Sequence, residues 1–248
     1  MNETPSHGRG PSPGDPVPSD RFDEVFARAD TIPGWLTRDQ ARTLYDAARE
    51  LPDGACVVEI GSHQGRSTVV LASARDDVEV VAIDPFVGGK FGGALTRRAF
   101  ERHLLEHGVA ERVRLLVERS EQVRQSWSAP VGLLYVDGKH DCRSTIRDLR
   151  WASFLPSRGR VLVHDSFSSI GVTLALLCGV LPGRELRYLG RVGSLATFER
   201  ARPHLADRLR ILRELPWWVR NVAIKVLLRL RLSVLARAAG HHDTFDPY

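Results

Sequence analysis

The stretch Ala55-Cys-Val-Val-Glu-Ile-Gly-Ser-His-Gln-Gly-Arg-Ser-Thr68 constrains the fold more than any other part of the chain. Its first half, 55–60, is a short apolar run with two adjacent valines and reads as a buried strand. Gly61 and Gly65 then allow a tight turn and a close backbone approach to a neighbouring group. A helix candidate over 67–74 follows at once. A buried strand that passes through a glycine turn into a helix is the opening unit of an α/β sheet.

The same alternation repeats downstream. Strand patterns fall at 78–83, 113–117, 131–136 and 161–163, and helical patterns at 94–107, 142–154 and 170–181, with Gly108 placed to cap the first of these helices. Two late strand patterns, 185–189 and 194–198, flank a short glycine-containing loop and read as a hairpin. Upstream, Thr37 and Gln40 form a capping box, and Ala41, Leu44, Tyr45 and Ala48 recur at helical spacing before a turn at 52–54. The expected fold is α/β: a Rossmann-like, seven-stranded, mostly parallel sheet with helices on both faces and an antiparallel C-terminal hairpin strand. The expected division is a Pro-, Gly- and Ser-rich disordered tail over 1–20, a helical cap over 21–50, a ligand-binding domain over 51–200 and a basic, apolar helical extension over 201–248.

Composition narrows the function classes. The chain has 248 residues, 43% of them hydrophobic, enough for one sizeable core. The formal charge of +5 favours anionic partners in general, but the arginines are spread and form no dense block, so a nucleic-acid partner is not expected. Three scattered cysteines without a Cys-x-x-Cys pair argue against zinc and against a disulfide framework, and fit reduced thiols in a cytoplasm. The N-terminus has no charged start followed by an apolar run, so no secretory signal is expected.

In open α/β sheets ligands sit beyond the carboxyl ends of the strands. Glu59, Gly61 and Gly65 lie at the first strand end and Asp84 at the second. A dinucleotide loop would need a third glycine where His63 stands, and an acid such as Glu59 would repel a pyrophosphate. An acid at that place suits a cationic ligand, and S-adenosylmethionine carries a sulfonium and an amino group. Asp84 is placed to accept the hydroxyl hydrogens of a ribose. A nucleotide-free turn with ordinary glycines is the plain alternative.

Asp137 and Asp165 end the fourth and fifth strands on the same sheet edge. Converging carboxylates repel unless a positive group lies between them, and Mg2+ is a natural occupant. His140, three residues after Asp137, is placed to take a proton from a substrate hydroxyl or to serve as a further ligand. His164 is expected to point away from Asp165, to the opposite side of the strand end. The ordinary readings are a turn for Asp137-Gly138, a helix cap or the satisfaction of a buried carbonyl for His140, a helix cap for Asp165, and an arginine partner for Asp148.

Residues 57–68 and 81–86 resemble the first two motifs of class I S-adenosylmethionine-dependent methyltransferases. Leu133-Leu-Tyr-Val-Asp-Gly-Lys-His140, then Asp148, then Gly159-Arg-Val-Leu-Val-His-Asp165, resembles the subgroup of macrolide-sugar O-methyltransferases and cephalosporin hydroxylase relatives. The resemblance spans roughly 51–198. It implies that Glu59, Gly61 and Gly65 hold the methionine part, with Ser62, Ser67 and Asp137 as further cofactor contacts, Asp84 at the ribose and Ser120 near the adenine. It also implies Asp137 and His140 as catalytic residues, Asp137 and Asp165 as ligands of a metal such as Mg2+, and O-methylation of a sugar, glycolipid or other secondary metabolite. His63 and Cys142 depart from the pattern, which usually has glycine and an aromatic there. The alternatives are an oxidoreductase or hydroxylase-like relative, for which His140, His164 and Asp165 would imitate an iron set, and a non-catalytic scaffold.

Residues 216–239 hold two tryptophans, many aliphatics and five cations, with no acid between Glu214 and Asp243. The charges make a poor transmembrane span. Val219, Ala223, Val226, Leu227, Leu230 and Val234 form a helical stripe, which fits either an interfacial helix at the inner face of a membrane or packing on the domain or on a second copy. The acceptor, small, glycosylated or lipid-linked, is expected to meet 21–35 and a glycine-rich loop over 87–95.

Overall fold

The computed structural model describes residues 21–87 and 93–240. The expected disordered tail and the centre of the glycine-rich loop lie outside these residues. Seven strands form one sheet: β1 (Cys56–Ile60), β2 (Glu79–Ile83), β3 (Val113–Leu116), β4 (Leu133–Val136), β5 (Arg160–Val163), β6 (Leu186–Val192) and β7 (Leu195–Arg200). Their spatial order is β3-β2-β1-β4-β5-β7-β6. The first five are parallel, and the β6–β7 hairpin adds the antiparallel edge. This is the expected architecture.

Side-chain alternation along the strands divides the core. Val57, Val80, Ala82, Leu133 and Tyr135 face α1 (Arg21–Ala29), α2 (Arg38–Arg49), α3 (Arg66–Ser73) and α4 (Gly93–Glu106), where Phe22, Tyr45, Val69 and Phe100 are buried. Val58, Ile60, Val81, Leu134 and Val136 face the other layer, which includes α6 (Cys142–Leu149), α7 (Ile170–Ala175) and the buried Trp151. The Thr37/Gln40 capping box forms as read from sequence.

Several elements differ from the sequence pattern. The 142–154 helix changes to a 3₁₀ turn at Arg150–Phe154, and the 170–181 helix ends in a π turn at Leu176–Val180. Ser120 opens a helix, α5 (Ser120–Ser126), that the pattern did not suggest; Val123 is its one buried residue, so it has no apolar stripe. The C-terminal extension is three helices: α8 (Leu205–Arg213), α9 (Leu215–Arg229) and α10 (Ser233–Ala238), the last two separated by a turn in which Arg231 has φ +59°.

What positions the site is the ladder itself, which runs one bond past each strand end. Gly61 N–H donates to the Ile83 carbonyl, Asp84 to Leu116, Asp137 to Ile60 and His164 to Val136, at 2.8–3.2 Å. The four residues after β1, β2, β4 and β5 therefore stand in a row along one sheet edge. β1 and β4 are neighbours although the chain leaves β1 toward β2, so their two loops meet at the switch point. Gly61 lies so close that a Cβ there would sit 2.2 Å from the Asp137 carbonyl oxygen, and its φ of +89° already favours glycine. Gly61→Ala is therefore expected to destabilise the protein by at least about 2 kcal/mol. Urea unfolding checks this, and a loss below roughly 0.5 kcal/mol would contradict the packing described.

Candidate active site

A cleft of about 1250 Å³ opens along this edge. The β1–α3 loop, the Asp84 turn and Ser120 form one part of its wall, and Asp137–His140 with His164 and Asp165 form another. The segment 33–37, with Gln40, and Trp217 of α9 close it.

The cofactor candidates divide into those that face the cleft and those that hold it in shape. Gly61, Ser62, Ser67, Asp84 and Ser120 are in the wall; Glu59 and Gly65 are not. Glu59 points with Val57 toward α3 and is fully buried, its two carboxylate oxygens accepting from Ser67 and Thr68 in the first turn of that helix. Burial raises its pKa to about 7, against those hydrogen bonds. Glu59 thus ties the strand end to the helix start, and reaches a ligand only through the loop it fixes. Gly65 starts α3 at φ +91° and packs on Phe100. Asp84 accepts the N–H groups of His63 (3.0 Å) and Phe86 (2.7 Å), which locks its carboxylate at the rim and joins the first two loops. Each of its oxygens retains a lone pair for a further donor.

Ser120 donates its hydroxyl to Asp148, which is buried. Burial raises the Asp148 pKa to about 6. Asp148 therefore has a serine partner in the cleft wall, not the arginine expected from sequence.

The second group is a four-residue charge cluster. Asp137 Oδ2 accepts from the Tyr135 hydroxyl at 3.0 Å, and Asp137 Oδ1 lies 3.5 Å from His140 Nε2 and 3.4 Å from His164 Nδ1. His140 Nδ1 is 3.1 Å from Asp165 Oδ2. The expectation that His164 would point away from Asp165 is wrong. Strand geometry ends at Val163, and Asp165 takes φ +53°, which turns both side chains into the same cluster, His164 Nδ1 to Asp165 Oδ1 being 3.7 Å. The capping roles for two of these residues are also removed. Asp141, not His140, caps α6 by accepting from Ser144 N–H, and Ser169, not Asp165, is the residue preceding α7.

The electrostatics follow from this packing. Burial acts to raise the Asp137 pKa, but His164 and His140 outweigh it and hold the carboxyl well below its usual range. Asp165 is likewise lowered, chiefly by His164, against burial. Burial acts to lower His164, yet Asp137 and Asp165 push it up to about 10. The contact with Asp137 raises His140. Gln40 closes the cluster from behind. Its carbonyl oxygen, oriented by the Thr37 N–H, lies 3.4 Å from His164 Nε2, and its amide donates to Ser194 Oγ at 3.1 Å. Tyr135, Gln40 and His164 were not among the site residues chosen from sequence. The one available signal was Tyr135, two residues before Asp137 and so on the same strand face.

Residues 58–166 match the family model of a methyltransferase domain. Over these residues the chain is similar to a methyltransferase domain, the class whose motifs its sequence resembles. An SAH-bound methyltransferase of Podospora anserina aligns with a TM-score of 0.57 at 16% identity, over 75% of this chain and 89% of that one. The O-methyltransferase TomG of Streptomyces achromogenes, in complex with SAM and involved in tomaymycin synthesis, aligns at 0.53 and 19%, over 75% and 91%. An O-methyltransferase of Bacillus cereus in complex with SAH aligns at 0.54 and 16%, over 76% and 94%. At these identities the likeness is one of fold. The family match lies with methyltransferases and not with oxidoreductases, while the expected divergence of His164 and Asp165 does not occur.

The charge cluster has a pH signature. A raised folded-state pKa makes the His164 contribution complete below its ordinary 6.5 and lost as pH rises toward about 10. The lowered Asp137 contribution is present above its ordinary 3.8 and lost as pH falls below it. In the presence of a chelator, the thermal midpoint of the wild type is expected to drop more between about pH 7 and pH 10 than that of Asp137→Asn, which removes the anion facing His164. Parallel curves for the two proteins would contradict the pairing.

Proposed function

We propose that the domain methylates a hydroxyl oxygen on a sugar, a glycolipid or another small secondary metabolite. The carrying observation is His140 at the cleft surface, with one ring nitrogen 3.1 Å from Asp165 and the other at the longer 3.5 Å from Asp137. Asp165 orients the ring, and Nε2 is the nitrogen left for the acceptor. In this reading the acceptor oxygen attacks the methyl carbon of S-adenosylmethionine in line with the sulfur. The carbon–sulfur bond breaks, an ether and S-adenosylhomocysteine result, and the hydroxyl proton passes to His140 Nε2. Asp84 holds the ribose, the Gly61–Ser67 loop the methionine part, and Ser120 borders the adenine. Two of the structural relatives are O-methyltransferases, which favours an oxygen acceptor.

The donor set also fits a divalent cation. Ligand atoms of Asp137, His164 and Asp165 lie within 4.8 Å of one another. The two carboxylates suit a hard cation such as Mg2+, which keeps several waters, and the imidazole is its less typical partner. Ser166 adds nothing, since its hydroxyl donates to the Val163 carbonyl. A cation held by Asp137 and Asp165 would lower the pKa of the acceptor hydroxyl. Free, unpaired cysteines fit a cytoplasmic setting.

Transfer of labelled methyl from S-adenosylmethionine to a panel of hydroxylated acceptors tests this. His140→Ala is expected to lower kcat by about 10²-fold or more while leaving donor binding intact, and Asp137→Asn to be at least as severe. A chelator should depress the wild-type rate and Mg2+ or Mn2+ restore it. Full activity in His140→Ala would overturn the assignment of the base, and indifference to chelator that of the cation.

A further inference from the structure

Helix α9 is apolar on nearly every side, and the domain covers only one of them. Trp218, Asn221, Ile224, Lys225 and Leu228 fall on its inner face. Trp218 packs partly on the core, Asn221 and Ile224 are fully buried, Asn221 Nδ2 donates to the Phe167 carbonyl at 3.1 Å, and Lys225 Nζ donates to the Ser168 carbonyl at 2.8 Å. Opposite lie Val219, Ala223, Val226 and Leu230, spaced four, three and four residues apart and so on one helical stripe. All four are exposed, Val219 and Leu230 by 60% and 62%. Leu232, Val234 and Leu235 extend the exposed apolar surface across the turn and into α10. The stripe read from sequence as one face of a helix is thus the side turned away from the domain. An exposed apolar stripe of this length marks a surface that takes cover from a partner.

Charge indicates what supplies the cover. Residues 215–240 carry Arg220, Lys225, Arg229, Arg231 and Arg237 and no acid. Those five equal the whole net charge of the protein; the other 30 basic residues are balanced by its 30 acidic ones. The exposed apolar helices thus carry positive charge with no acid among them, and a partner offering both hydrocarbon and negative charge satisfies both. None of the described helices is long and apolar enough to cross a membrane.

We propose that α9 and α10 seat the protein on the surface of an anionic lipid bilayer. The stripe 219–230 enters the headgroup boundary, and Arg229, Arg231 and Arg237 meet the lipid charge. The docked helix is joined to the catalytic edge twice. Its first turn supplies Trp217, which lines the cleft under the Arg191 guanidinium, 3.8 Å from the ring centre. Its inner face holds the carbonyls of Phe167 and Ser168, in the loop whose Ser168 hydroxyl donates to Asp165 at 3.0 Å. The cleft thus opens beside the lipid surface. That a lipid-borne acceptor uses this route rests on the methyl-transfer reading; the docking does not.

The full chain is sedimented with phosphatidylglycerol-containing vesicles and with pure phosphatidylcholine vesicles, and S-adenosylhomocysteine binding is measured by calorimetry on the same samples. Association with the anionic vesicles alone is expected. It should weaken roughly tenfold on going from low to high salt. Val226→Glu with Leu230→Glu, on exposed positions, should reduce it by a similar factor or more, and Arg229→Gln with Arg237→Gln should reduce it as well. Nucleoside binding should be unchanged in both variants. Equal association with both vesicle types, or none, overturns the proposal. So does a wild-type dimer that the Val226→Glu, Leu230→Glu variant splits without any vesicle binding, since the face would then belong to a second copy. Failure of vesicle binding with nucleoside binding intact removes the docking and leaves the methyl-transfer reading in place.

Discussion

The bare α-carbon of Gly61 rests against the Asp137 carbonyl and the Gly138 backbone, and that contact sets the distance between the two halves of the site. One half, built on β1 and β2, offers a glycine turn and an anchored carboxylate at Asp84. The other, built on β4 and β5, offers the charge cluster. Because β1 and β4 are paired neighbours, a side chain at Gly61 would collide with the Asp137–Gly138 backbone. A ladder bond from Asp137 N–H to the Ile60 carbonyl fixes the register of this approach at 2.8 Å. On the proposed reading, a methyl donor held by the first half would lie beside the acceptor chemistry of the second.

Two acids at this edge perform different tasks because their surroundings differ. Glu59 faces neutral hydroxyls, and desolvation dominates, so its proton is held to about pH 7. Asp137, whose side chain is partly exposed at the cleft, faces two imidazoles that hold it ionised against its partial burial. Glu59 is the brace of the loop and Asp137 the charged centre. The same logic explains why His164, deep in the protein, remains a cation: two carboxylates surround one face of the ring, and the Gln40 carbonyl faces the other. A divalent cation at Asp137 and Asp165 would take over the compensation that His164 otherwise supplies.

The fold was legible in the sequence because β1, β2, β4 and β5 are short, largely buried runs each followed by a polar or glycine residue, and because the capping box at Thr37 and the hairpin around Gly193 have local signatures. The candidate positions along the edge were legible for the same reason, each being the residue just past a strand. What escaped was the direction of side chains where regular geometry stops. Alternation predicts opposite directions for His164 and Asp165, but a non-glycine residue at φ +53° breaks the rule, and nothing local announces it. Helix α5 escaped because a helix anchored by Val123 alone has no period to read. The outward turn of the 219–230 stripe escaped for a different reason. Sequence shows that a face is apolar, while the polar contacts of Asn221 and Lys225 decide which face the domain keeps.

Everything said of the site depends on a cleft shaped for a positively charged nucleoside. Titration calorimetry of the purified protein with S-adenosylmethionine and with NAD, in parallel and with Mg2+ present, measures this directly. The structure predicts saturable, one-to-one binding of S-adenosylmethionine, no measurable heat with NAD, and clear weakening of the first by Asp84→Asn. Absence of S-adenosylmethionine binding, or preference for NAD, would contradict the reading of the Gly61 loop and the Asp84 rim.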